Sequence, residues 1–285
     1  MKEKEIKLVE WFKEKKQVIT AFSGGVDSCL VAFMARKVLG KKNAIAMISI
    51  SPSLKERELQ GAEEFCANYD IQLIKILAKE IEDPNYVANP INRCYYCKSA
   101  LYDEIFEQRD KLKLNNFFVL NGSNHSDFSD FRPGLQAAAE NEILSPLAEC
   151  GFVKDDIRLL SKKHNLNVWN KPASPCLGSR FPYGESISLE KLKKVEEAEY
   201  ILNDAGFDEC RVRYQDGVAR LEVPKEQVVN LQAKISLLEP KIIGLGFSSC
   251  IIDNEGFVSG KLNSVISEEK INFQLNQQEN WKISK

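Results

Sequence analysis

The chain has 285 residues, 44% of them hydrophobic and 28% charged, with a formal net charge of −2. That length suffices for one large domain and a smaller one. The charge leaves no basic footprint for nucleic acid, and no apolar run reaches the roughly 18 residues of a membrane-spanning helix. The N-terminal stretch MKEKEIKLVEWFKEKK lacks the apolar centre of a signal peptide, and the eight cysteines point, without such a signal, to a reducing cytoplasmic setting.

In chain order, Ile6, Val9, Trp11 and Phe12 mark one face of a short charged helix. Val18 to Phe22 reads as a buried strand, Ser28 to Leu39 as a helix, Ala44 to Ile50 as a strand and Leu54 to Asn68 as a helix. Ile71 to Ile76 is a strand, Lys98 to Leu112 a helix and Phe117 to Asn121 a strand; Pro133 to Asn141 and Lys154 to His164 follow as helices. Strand–helix repetition with mostly apolar strands predicts an α/β fold, a parallel sheet with helices on both faces. Ligands then bind at the carboxyl ends of the strands. Asn170 to Gly184, with three prolines and two glycines, reads as an ordered loop between domains. Beyond it a helix (Leu189 to Ala205), strands at Cys210 to Tyr214 and Val218 to Val223, a helix (Lys225 to Leu238) and a strand near Ile251 suit a small α+β domain. Gln215-Asp216-Gly217 is a hairpin signal. The expected boundaries are 1–170 for the first domain, 171–187 for an active-site linker loop, 188–265 for the second domain and 266–285 for a polar tail.

The apolar run Val18 to Phe22 leads directly into Ser23-Gly24-Gly25-Val26-Asp27-Ser28 and a helix. Two glycines let the backbone turn tightly and bring N–H groups to phosphate oxygens. The helix N-terminus adds donors and the positive end of its dipole. Ser23 and Ser28 supply hydroxyls, and Asp27 is suited to hold Mg2+. Neither a Walker sequence nor a G-x-G-x-x-G is present. SGGVDS after an apolar strand resembles the PP-loop of ATP pyrophosphatases, which grips departing pyrophosphate while a nucleophile attacks the α-phosphate. The resemblance implies that the following strand, with Met47 and Ser49, meets adenine and ribose through its backbone.

Cys94-Tyr95-Tyr96-Cys97 lies at the start of a helix, a position that favours thiolate, and Cys176 sits in Ser174-Pro175-Cys176-Leu177-Gly178-Ser179-Arg180, where Arg180 does the same. Several readings remain open at this point. The three cysteines fit an iron–sulfur cluster with thiolate ligands, the C-x-x-C a zinc site lacking a clear second knuckle, a redox dithiol, or a structural pair. Cys29, Cys66, Cys150, Cys210 and Cys250 read as core or incidental residues.

Taken with Asn92 to Lys98, Asn121 to Asp127, Phe131 to Gly134, Pro175 to Gly184 and Arg211 to Tyr214, these motifs resemble the LarE family. These are ATP-dependent sulfurtransferases of nickel-pincer nucleotide synthesis, needed for lactate racemase maturation. The resemblance runs from about residue 5 to about 260 and is most specific at 175–184. It implies adenylation of the carboxylates of pyridinium-3,5-biscarboxylic acid mononucleotide with ATP and Mg2+, then conversion to thiocarboxylates. Some members sacrifice the cysteine matching Cys176; others hold a 4Fe-4S cluster with Cys94, Cys97 and Cys176, and this sequence has all three. Cys176, Asp27 and Arg180 are the expected catalytic residues. Ser23 to Ser28, Met47, Ser49, Gly122 and Asn124 are the expected nucleotide contacts.

Arg211 and Arg213 alternate on a strand and so share a face, and arginine grips phosphate bidentately. The resemblance adds Ser179, Glu199 and Glu222 to this substrate site. It also implies a sulfide donor and a homo-oligomer, with a hexamer as the candidate state. A tRNA thiolase with a PP-loop and cysteine cluster, and an ammonia-using PP-loop synthetase, are the rival readings. The absence of a basic patch weighs against the first, and the cysteine trio against the second.

Overall fold

The computed structural model describes residues 2–258 and 261–283; Met1, positions 259–260 and the last two residues of the expected tail lie outside the described residues. The elements, in chain order, begin with α1 (Lys2–Lys15), β1 (Val18–Ala21), α2 (Val26–Leu39), β2 (Ala44–Ser49), α3 (Glu56–Asn68) and β3 (Gln72–Ile76). Then come α4 (Pro84–Val87), α5 (Arg93–Lys111), β4 (Phe118–Leu120), α6 (Pro133–Glu140), α7 (Pro146–Glu149) and α8 (Lys154–Lys163). The chain continues through α9 (Leu189–Asp204), β5 (Arg211–Gln215), β6 (Val218–Glu222), α10 (Val228–Gly244), β7 (Ser249–Ile252) and α11 (Glu268–Ile283). Among the described residues no helix is long and apolar enough to cross a membrane.

The chain divides into two compact units. The first comprises residues 1–80, 94–174 and 268–285 and holds a four-stranded sheet of order β3-β2-β1-β4, parallel at every pairing. Its strands are apolar on both sides because both sides are covered. Val18, Ala44, Ala46, Ile48 and Leu120 pack with α1, α2, α3, α7 and α8. Ile19, Ile45, Met47 and Val119 point the other way and pack with α5 and α6. The expected parallel α/β sheet is what forms, and its carboxyl edge delivers the loops after β1, β2, β3 and β4 to one end.

The second unit comprises residues 81–93 and 175–267. Here β5 pairs antiparallel with β6, and β6 parallel with β7. The hairpin turn uses Asp216 at φ 48° and Gly217 at φ 82°, positive at both central positions as a tight hairpin requires. Val212 and Leu221, both fully buried, face the core, whereas Arg211, Arg213, Arg220 and Glu222 alternate with them and share the opposite face.

Two helices depart from their expected spans. α5 starts at Arg93 rather than Lys98, which places Cys94 and Cys97 within its opening turns. α10 runs through Pro240, past the expected end at Leu238. The polar stretch after residue 267 forms α11. Its buried Gln278 donates to the carbonyls of Phe128 (3.2 Å) and Asp130 (2.8 Å) and accepts from the Arg132 N–H (3.1 Å). A polar helix held by an amide anchor has no apolar stripe to announce it.

Candidate active site

In the first unit, β1 ends at Ala21 and the Phe22 N–H donates to the Met47 carbonyl (2.8 Å), fixing where the Ser23–Gly25 turn leaves the sheet. The turn is held by its own hydroxyls. Ser28 Oγ accepts from the Ser23 N–H (3.2 Å) and donates to the Gly25 carbonyl (3.1 Å), and the Ser23 and Ser28 hydroxyls lie 3.0 Å apart. Gly25 is the N-cap of α2 and offers no side-chain cap, so the first N–H groups of a 14-residue helix stay available to an anion.

The two loop glycines are needed for different reasons. Gly24 has φ +70°, and a Cβ there would lie 2.9 Å from the Ala62 Cβ, so both backbone and packing demand glycine. Gly25 has φ −78°, and among the described residues a Cβ there would meet only Ser23 Oγ, at 3.5 Å. The fold tolerates a side chain at Gly25; a ligand lying on the loop would not. Gly122, after β4, is a second close approach: its Cβ would stand 2.8 Å from the Ser28 nitrogen.

Asp27 is flanked by Lys154 Nζ (2.5 Å) and by the buried Asn124, whose Nδ2 donates to Asp27 Oδ1 at 3.4 Å. Lys171 Nζ donates to the Gly24 carbonyl (3.1 Å) and pairs with Glu58 (2.6 Å). Lys154 and Lys171 were not legible as loop residues, because tertiary packing alone brings them there. Met47 has a fully buried side chain, leaving only its backbone for any nucleotide, and Ser49 Oγ accepts from the Ala78 N–H (3.2 Å). Next to it, the buried Glu80 accepts from the hydroxyls of Ser51 and Ser53; its second carboxylate oxygen has no partner among the described residues.

Cys94 is exposed and Cys97 half-buried, three residues apart on α5 and hence on neighbouring turns of one face. Among the described residues no three His, Cys, Asp or Glu side chains gather closely enough to hold a metal ion. Accessible thiols one turn apart do suit two thiolate ligands of a cluster. The other cysteines contrast with them: burial pushes the Cys66 thiol up to about 12 and the Cys150 thiol up to about 11, and raises Cys29 well above the usual thiol range. Burial likewise pushes Cys250 up to about 11.

In the second unit, the exposed Cys176 opens a short turn, Leu177–Arg180. The Ser179 hydroxyl donates to the Cys176 carbonyl (2.8 Å) and accepts from Arg180 Nη1 (2.9 Å). Arg180 is buried and forks onto Glu199 at 2.7 and 3.1 Å. Glu199 also accepts from the Val212 N–H (3.0 Å), tying α9 to β5. Arg213 pairs with the buried Glu222 (3.0 Å) and donates to the Ser179 carbonyl (2.7 Å). Arg211 lies 3.8 Å from the centre of the Phe257 ring. Burial first, and then the charges of Arg180 and Arg213, push its guanidinium down to about 10, against the opposing pull of Glu222 and Glu199. The second unit thus gathers Ser179, Arg180, Glu199, Arg211, Arg213 and Glu222.

The profile of the NAD synthase family matches residues 7–89, the stretch containing the phosphate loop. An uncharacterised protein of Synechocystis is 43% identical over 263 residues, 92% of this chain and 97% of that protein. The pyridinium-3,5-bisthiocarboxylic acid mononucleotide synthase of Lactiplantibacillus plantarum is 32% identical over 270 residues, 94% of this chain and 96% of the synthase. A glutamine-hydrolysing GMP synthase of Clostridium botulinum is 26% identical over 73% of this chain but only 44% of its own length. With the phosphate loop on a parallel sheet and 32% identity to the Lactiplantibacillus synthase along 94% of the chain, the chain belongs to the LarE family of PP-loop ATP-dependent sulfurtransferases.

Proposed function

We propose that the enzyme adenylates the carboxylates of pyridinium-3,5-biscarboxylic acid mononucleotide with ATP and replaces the activated oxygen by sulfur. The observation that carries this reading is the 32% identity, along 94% of the chain, to a synthase named for a bisthiocarboxylic product. The chemistry follows from the need for a leaving group. A carboxylate oxygen attacks the α-phosphorus of ATP, and pyrophosphate departs to the N–H groups of Ser23 to Ser28. A sulfide then attacks the acyl carbon and AMP leaves. Asp27, with Lys154 beside it, is the residue suited to hold Mg2+ against the triphosphate. Gly122 and Asn124 support the same helix end, and the backbone of Met47 and Ser49 lies on the nucleotide side.

Arg211, Arg213 and Ser179 bind the mononucleotide phosphate in this account. Glu199 and Glu222 hold Arg180 and Arg213 in place, and Arg180 positions the Cys176 segment through the Pro175 carbonyl (3.0 Å) and the Ser179 hydroxyl. Cys94, Cys97 and Cys176 are the proposed ligands of a 4Fe-4S cluster. Bound there, the cluster would supply a sulfide on an iron that the protein does not ligate. On this reading the enzyme works in the cytoplasm as a homo-oligomer served by a sulfide donor.

ATP–pyrophosphate exchange tests adenylation apart from sulfur transfer: exchange should require the mononucleotide and no sulfide. Anaerobic iron and sulfide analysis tests the cluster. An iron-free protein whose Cys176 loses hydrogen sulfide on turnover, leaving dehydroalanine, would replace the cluster by a sacrificial cysteine.

A further inference from the structure

Strands β5 and β6 set Arg213 directly opposite Arg220, and Arg211 opposite Glu222. Like charges directly across a strand pair destabilise it unless something neutralises them. Arg213 is neutralised at close range by Glu222, 3.0 Å away. Arg220 is neutralised more loosely: the buried Asp253 stands 3.6 Å from it, an ion pair beyond good hydrogen-bond distance, and 39% of the Arg220 side chain is exposed. Both arginines line a recess of about 250 Å3 shared with Arg180, Tyr214 and Glu222.

The commitments of these guanidiniums differ. Arg180 is forked onto Glu199, Arg213 is divided between Glu222 and the Ser179 carbonyl, and Arg211 lies on the Phe257 ring. Arg220 alone among these four combines partial exposure, a loose ion pair and a place in the recess wall. A guanidinium in that state is ready for a bidentate oxyanion. The recess is smaller than the usual 300–1,000 Å3 of a whole-ligand pocket, which suits the phosphate end of a ligand rather than all of it.

We propose that Arg220 is a further substrate-binding residue, taking an oxygen of a phosphomonoester that enters this recess opposite Arg213. The inference rests on the reading of the second unit as the mononucleotide site and adds a residue to it. Asp253 then acts as a competitor for Arg220, keeping the guanidinium at the rim until a dianion displaces it.

The test uses ribose 5-phosphate and ribose as calorimetric probes, with ATP as a control. R220Q should weaken ribose 5-phosphate by about ten- to a hundredfold, the loss of one charge-assisted contact. Ribose and ATP affinities should not move. D253N keeps an oxygen acceptor for the Glu255 N–H but removes the competing charge, and should tighten ribose 5-phosphate, an effect that a structural role for Arg220 would not produce. Wild-type affinity for ribose 5-phosphate in R220Q, or no binding of this probe to the wild type, overturns the proposal. Should R220Q fail to fold, R220K carries the test: several-fold weakening is expected, and unchanged affinity overturns it. The broader reading fails on different ground. If the mononucleotide drives no pyrophosphate exchange in the wild type, the reading is wrong; if exchange is normal and only the Arg220 effects are missing, the inference alone is wrong.

Discussion

Lys154 Nζ stands 2.5 Å from Asp27 Oδ2, at the first turn of the helix that completes the phosphate loop. The pair puts a cation beside the proposed Mg2+ ligand, at the carboxyl end of the sheet, where the proposal lays the triphosphate. Asp27→Ala should abolish pyrophosphate release and leave the fold intact. Lys154→Met should weaken ATP binding by about tenfold, the scale of one charge-assisted contact. Isothermal titration with ATP checks the second effect; unchanged affinity would mean that Lys154 serves the fold alone.

The two loop glycines should separate by phenotype. Gly25→Val meets no backbone obstacle, since φ is −78° and only Ser23 Oγ lies near. It should melt close to the wild type yet release no pyrophosphate. Gly24→Val combines a φ of +70° with a 2.9 Å contact to Ala62, and should cost on the order of 1–3 kcal/mol of stability. Thermal melts alongside a pyrophosphate assay decide the matter. Normal release from a folded Gly25→Val protein would remove the loop from the phosphate site.

The loop and the sheet that carries it were legible because local sequence dictates them: apolar strands buried on both faces, two glycines and a helix start. The Arg211 and Arg213 face was legible from period-two alternation. Other features depend on partners distant in sequence. Lys154 and Lys171 reach the loop only through packing, and the buried Glu80 with Ser51 and Ser53 belongs to no local pattern. Arg220 carries no local signal either, because its setting comes from Arg213, the residue opposite it across a hairpin. The first turn of α5, from Arg93 to Cys97, is hidden because Tyr95 and Tyr96 interrupt the polar–apolar rhythm that marks a helix.

In the second unit the ion pairs divide structural from binding roles. Arg180 and Glu199 are both buried, so Glu199→Ala leaves a buried guanidinium without its carboxylate and should destabilise by about 3–5 kcal/mol. Arg211→Ala loses a ring contact and keeps the fold, but should weaken mononucleotide binding by about ten- to a hundredfold. ATP affinity should hardly change in Arg211→Ala. Denaturant melts and paired titrations check both. A collapse of ATP binding with mononucleotide binding intact would reassign Arg211.

Thiol reactivity should sort the cysteines. The exposed Cys94 and Cys176 should take iodoacetamide in the native, iron-free protein while Cys29, Cys66 and Cys150 resist. Burial raises the last three, so the unfolded chain releases its thiol protons at a lower pH than the native one. Their stabilising contribution is complete below the ordinary thiol pKa of about 8.5 and declines as pH rises from there through the raised native values. Labelling followed by peptide mass spectrometry checks the order; early modification of Cys66 would contradict it.

The most direct measurement follows the product and the nucleotide together. The enzyme, reconstituted anaerobically with iron and sulfide, is given ATP, Mg2+ and pyridinium-3,5-biscarboxylic acid mononucleotide. The account predicts a product whose mass records sulfur in place of oxygen at a carboxylate, with one AMP and one pyrophosphate formed for each sulfur inserted. ADP and phosphate in place of AMP and pyrophosphate, or a carboxamide in place of a thiocarboxylate, would contradict it.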